Sequence, residues 1–251
     1  MKLAVSCVVL SALLGCSLAM PEGRVAGGDD AELGQLPYQG ALSIGGSYNC
    51  GAAIIAPLFA LTALTCVCSE GSNRPWPPQM FQVSAGTIDL YQGGQRIVVE
   101  EIILNPNYNE LQVGMALLRL RQPFVFNDQV QAIALATVNP PIGAEIDISG
   151  WGRTKATETD MHRTLQIGNA YVEPERACLN ADSSIQSNDQ VLCVGHSRKQ
   201  GICRGDMGGP AVYNNELVGL GVQLLGECGG SLPERFISIA ANYDWIQSQI
   251  A

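Results

Sequence analysis

The sequence predicts a fold of short β-strands closed by one helix. Three observations carry this. Residues 38–55 alternate short β-prone runs with Gly-Gly and Gly-Ser turns, the pattern of hairpins. Strand-like runs return at 81–86 and 95–104, and residues 165–172 alternate as a half-buried strand does. Only the last stretch, from a cap at Asn242 to Ile250, has helical spacing, with Trp245, Ile246 and Ile250 on one face. At 251 residues, 47% hydrophobic and 15% charged, the chain can bury a substantial core as one double-layer β domain or two small ones.

Residues 1–19 read as a secretory signal peptide: Lys2 gives the positive end, residues 3–14 the apolar segment, and Ser17-Leu18-Ala19 the small-x-small cleavage site. A short propeptide over 20–24 and a domain over 25–251 follow. Removing the leader takes Lys2 from the 14 basic residues and none of the 23 acidic ones, so the net charge moves from -9 to -10. That balance argues against nucleic acid and against anionic membrane surfaces as partners. The leader also carries off Cys7 and Cys16. Seven of nine cysteines remain in a secreted chain, which implies disulfides and one odd thiol.

The most informative segment is Gly201-Ile202-Cys203-Arg204-Gly205-Asp206-Met207-Gly208-Gly209-Pro210. It resembles the Gly-Asp-Ser-Gly-Gly-Pro nucleophile loop of trypsin- and chymotrypsin-like serine proteases, with Met207 where the serine belongs. A thioether has no proton to lose and is no useful nucleophile toward a carbonyl. Upstream, Arg24-Val25-Ala26-Gly27-Gly28 is similar to the family's activation junction. By that resemblance, cleavage after Arg24 frees the Val25 amine to pair with Asp206, a charge partner that a buried ammonium needs. The run from Phe59 to Cys66 resembles Trp-Val-Leu-Thr-Ala-Ala-His-Cys and sets Thr65 at the histidine, a residue without a group that titrates near neutral pH. Met115-Ala116-Leu117-Leu118-Arg119-Leu120 is similar to the strand after the orienting aspartate, whose position falls on Gly114.

The resemblance runs from Arg24 to Ile250. It implies an all-β fold of two six-stranded antiparallel β-barrels, orthogonally packed, with a C-terminal α-helix and a cleft between the barrels. Residues 126–133 look like the connection between barrels, and Gly150-Trp151-Gly152 like the turn opening the second. It also implies three disulfides, Cys50–Cys66, Cys178–Cys193 and Cys203–Cys228. Cys68 is then left over, to compete with Cys66, bridge to another chain or, as the first expectation, stay a free thiol. Gly205 and Met207 hold the oxyanion-hole positions, where backbone N–H groups can point at a carbonyl oxygen. Gly201 takes the place of the specificity aspartate and leaves the pocket open. Val222-Gln223-Leu224 replaces the substrate-pairing Ser-Trp-Gly, with Leu224 at the pocket mouth, and Glu234 narrows the pocket or gives it a residual liking for a basic side chain.

The two histidines, His162 and His196, sit in polar, turn-rich stretches and read as solvent-facing loop residues. Neither has Cys or Asp at ligand spacing, so neither a metal nor a cofactor is expected. With Thr65, Gly114 and Met207 at the reactive positions, the chain resembles the inactive serine protease homologues of arthropods that lack a clip domain. The resemblance implies a secreted, non-catalytic binding or regulatory partner of active proteases, zymogens or protease inhibitors, in an extracellular cascade such as Toll or melanisation signalling. Two alternatives stand beside it: a peptide- or inhibitor-binding protein of gut or reproductive fluid, and a weak hydrolase with an unrecognised site.

Overall fold

The computed structural model describes residues 28–69, 71–107, 113–187, 189–198 and 200–251. The leader, the propeptide, Arg24 and Val25 lie outside these. Six strands close the first barrel in the order β2-β3-β4-β7-β6-β5: β2 (Gln39–Ile44), β3 (Ser47–Ala56), β4 (Phe59–Ala63), β5 (Phe81–Ala85), β6 (Gln95–Leu104) and β7 (Met115–Leu120). All six pairings are antiparallel. The β2–β3 turn is Gly45-Gly46, with φ of 57° and 86°, the left-handed pair that a two-residue hairpin of matching twist requires.

The second barrel closes through β9 (Glu145–Gly150), β10 (Gln166–Glu173), β11 (Val191–Gly195), β14 (Glu234–Ser238), β13 (Glu216–Leu224) and β12 (Pro210–Tyr213), which returns to β9. Two short strands lie outside the ring: β1 (Asp29–Asp30) on β10, and β8 (Ala134–Leu135) parallel to β13. The fold is therefore the expected pair of six-stranded antiparallel barrels. Alternation decides the faces, as in β10, where every other residue from Gln166 to Val172 is buried. Leu42, Ile54, Leu61, Phe81 and Leu118 fill the first barrel; Ile146, Ile148, Val194 and Phe236 fill the second. The three disulfides, Cys50–Cys66, Cys178–Cys193 and Cys203–Cys228, form as the resemblance implied.

A short helix, α1 (Glu175–Ala181), precedes β11, and the chain ends in α2 (Ile239–Ile250). The cap of α2 differs from expectation. It is Ser238, whose Oγ accepts the Ala241 N–H at 3.1 Å, while Asn242 is the fourth helical residue. The amide of Asn242 is used elsewhere: it donates to the Ser238 carbonyl at 2.7 Å and accepts from Asn105 Nδ2, just past β6, at 2.5 Å. Both asparagines are buried, so α2 is tied to the first barrel by a polar contact that water cannot replace. Trp245, Ile246 and Ile250 pack on the core, as their spacing predicts. Asn242→Ala strands the Asn105 amide, and thermal unfolding should show a loss of about 1–3 kcal/mol, read as a Tm several degrees lower.

Candidate functional site

Thr65, Gly114 and Met207 come together where the barrels meet. Strand β4 runs into a single 3-10 turn, Leu64–Cys66, which leaves Thr65 exposed. The Leu64 N–H donates to the Gly114 carbonyl at 2.8 Å, joining the second position to the first. Gly51, in β3, donates its N–H to the Met207 carbonyl at 2.8 Å. The Cys66 sulfur lies 3.6 Å from that same oxygen, a contact and no hydrogen bond because the disulfide has no S–H. The Met207 side chain is half-buried and packs on the cores of both barrels.

The space beside Gly114 is occupied. A Cβ added to Gly114 would lie 2.7 Å from Leu64 Cδ1 and 2.9 Å from Leu64 Cβ, closer than packed carbons come. Leucine has filled the volume beside position 114. Sequence reasoning passed over Leu64; the signal was a leucine where the resembled segment has its second alanine. Positions 65, 114 and 207 thus carry a hydroxyl, a hydrogen and a thioether.

The loop from Gly201 to Pro210 turns on glycines. Gly201, Gly205 and Gly208 have φ of 108°, 102° and 75°, and a Cβ on Gly51 would come within 2.6 Å of the Gly209 Cα. Thr62 Oγ1 donates to the Gly51 carbonyl at 2.8 Å and braces this close approach. Gly205, in the oxyanion-hole segment, offers its carbonyl to the Tyr48 hydroxyl at 2.8 Å. Asp206, only 2% exposed, turns from the groove: its carboxylate accepts the Gly152 N–H at 2.7 Å and the Cys203 N–H at 2.9 Å. Burial pushes its carboxyl up to about 7, against the pull of those two amides. Its carboxylate lies against Gly150 and Gly152, where any side chain would meet it.

The pocket residues show one departure from expectation. Gly201, Val222 and Glu234 are buried, Gln223 Oε1 accepts from Arg235, and Leu224 stands opposite Glu234 across β13 and β14. Gly201 does not leave the pocket open. Glu234 Oε1 and the His196 ring occupy the place a residue-201 side chain would take. His196 is accordingly no solvent-facing loop residue: its side chain is 2% exposed, with Nε2 3.4 Å from Glu234 Oε1. An absent side chain leaves a hole, and close packing closes it with the nearest groups. Burial, with Asp206 adding to it, raises the Glu234 carboxyl well above its usual range. His162 is half-buried, its Nδ1 2.8 Å from the Thr164 carbonyl oxygen.

A cavity of about 590 Å³ opens beside the loop, between the β2–β3 hairpin, residues 90–91 and residues 159–161. Tyr48, Tyr91, Arg96 and Asp160 are among its lining residues, and Tyr48 connects it to Gly205. Cys68 is a buried free thiol, pushed up by burial to about 11, outside the reactive range. Among the described residues no group of His, Cys, Asp and Glu is arranged to hold a metal, and no helix is long and apolar enough to cross a membrane.

Residues 25–246 match the family model described as Trypsin. The chain is 32% identical over 225 residues to "Serine protease SP24D" of Anopheles gambiae, covering 90% of this chain and 80% of that one. It is 30% identical over 253 residues to "Anionic trypsin" of Canis lupus familiaris, covering 97% and 98%. The solved structure of neuropsin, a serine protease expressed in the limbic system of mouse brain, superposes with a TM-score of 0.80 at 26% identity, over 89% of this chain and 99% of that one.

Proposed function

This chain belongs to the trypsin family, and from that membership we propose that it is a non-catalytic member that acts by binding. The observation carrying the reading is the set Thr65, Gly114 and Met207 at the reactive positions, with Leu64 packed into the space beside Gly114. An oxyanion hole and substrate binding without a triad leave about 10³–10⁴-fold acceleration over water, negligible against an amide bond. The protein is secreted, as its leader and three disulfides support. Its partners are active proteases, zymogens or protease inhibitors in an extracellular cascade of the innate immune kind, and the cavity bordered by Tyr48 gives such a partner a foothold next to the nucleophile loop.

Cleavage after Arg24 switches the binding surface by delivering the Val25 amine to Asp206. The test is direct. Purified protein, cleaved and uncleaved, is treated with a fluorophosphonate probe and with chromogenic peptide esters. Neither label nor turnover is expected. Labelling of the unaltered chain that a point change in the groove abolishes overturns the reading. A partner captured equally by cleaved and uncleaved forms removes the switch.

A further inference from the structure

Beside Gly201 the fold buries two ionisable side chains, His196 and Glu234, that the groove chemistry does not use. We propose that His196 is the built-in occupant of a pocket, seated on Glu234 where the cationic group of a ligand would sit, and that its side chain decides whether the pocket admits such a ligand. The inference rests on the reading of residues 201, 222–224 and 234 as a binding pocket.

Topology brings the pair together. Val194, in β11, stands opposite Glu234, the first residue of β14, so the chain leaving β11 at Gly195 delivers His196 to the glutamate. The ring is oriented from its other side, with Nδ1 3.0 Å from the Ser197 carbonyl oxygen. A protonated Nδ1 donates there, which leaves Nε2 to face the Glu234 carboxyl. Both side chains are 2% exposed, so neither is hydrated in place of the other.

Glu234 is under-satisfied. Neither of its oxygens has a hydrogen-bond partner of ordinary geometry among the described residues, although the Ile202 amide is near enough to favour the charged form. The His196 contact, at 3.4 Å, is long for a hydrogen bond. Asp206 adds negative charge to the same region, and Arg235, the next residue along, instead bonds Gln223 Oε1 at 2.8 Å. A buried carboxyl with two open oxygens suits a planar amidinium or guanidinium, which bonds both at once. What stands in that place is the imidazole, admitted because Gly201 has no side chain.

Benzamidine is the probe, titrated calorimetrically into the unaltered chain, His196→Ala, and His196→Ala with Glu234→Gln. His196→Ala should bind at least about tenfold more tightly than the unaltered chain, and Glu234→Gln should cancel the gain. Equal affinity for the first two, or a gain that survives Glu234→Gln, overturns the proposal. Should alanine fail to fold, judged by circular dichroism and intact disulfides, His196→Asn shortens the occupant while keeping it polar, and the same order is required. Turnover by the unaltered chain would defeat the non-catalytic reading and leave this result standing; equal benzamidine affinities would do the reverse.

Discussion

Restoring the three reactive side chains by Thr65→His, Gly114→Asp and Met207→Ser leaves the protein nearly inert, whereas the same triple change with Leu64→Ala gives a nucleophile that reacts with a fluorophosphonate at position 207. The reason is volume. A carboxylate at 114 must begin from a Cβ that meets Leu64 Cδ1 at 2.7 Å and Leu64 Cβ at 2.9 Å, and Gly114 is fixed by its hydrogen bond to the Leu64 amide; Leu64→Ala removes the first contact, and the second, whose atom alanine keeps, is eased by a small shift into the vacated volume. In the triple variant leucine or aspartate must leave its rotamer, at a cost of about 1–3 kcal/mol in stability, and the displaced carboxylate cannot orient an imidazole at 65. An unoriented base forfeits much of the ~10²–10⁴-fold that general-base catalysis supplies. The quadruple variant should therefore be labelled at least about 100-fold faster than the triple. Equal rates, with both proteins folded, would mean that Leu64 is a bystander.

The assignment of Thr65, Gly114 and Met207 to the reactive positions rests on the motifs that flank them: the Gly-rich loop around Met207, the cysteine after Thr65 and the β7 strand after Gly114. Strands and hairpin turns are legible because each is set by neighbours in sequence; the disulfide pairing is not, since cysteine spacing leaves it open, and it came only from the family resemblance. Leu64 against Gly114 was not legible either, because it is a statement about space between segments 50 residues apart. The Glu234–His196 pair depends on strand register across β11 and β14, which no local pattern encodes, and exposure was inferred for His196 only from the polarity of its neighbours. At α2 the local signals were ambiguous, since Ser238 and Asn242 are both good caps; the tertiary bond to Asn105 takes Asn242 into the helix interior.

Asp206 makes the stability of the uncleaved chain fall as pH rises. In the folded protein its carboxyl is raised to about 7 from an ordinary 3.8, so between those values the folded state holds a proton that the unfolded chain has lost. The contribution is fully present below about pH 4 and is lost as pH climbs through about 7, a change of roughly 4 kcal/mol. Glu234, raised by burial as well, works in the same direction, and Glu234→Gln subtracts its share. In the proposed form cleaved after Arg24 the sign should reverse at this residue. The Val25 ammonium beside the carboxylate favours the charged form, and stability is gained where the uncleaved chain loses it. Urea unfolding of both forms from about pH 4 to 8 should give curves that diverge with rising pH, the cleaved form the more stable at the upper end. Asp206→Asn should flatten the uncleaved curve and close most of the gap. If cleaved and uncleaved chains keep parallel curves, the amine does not reach Asp206, and the proposed switch fails.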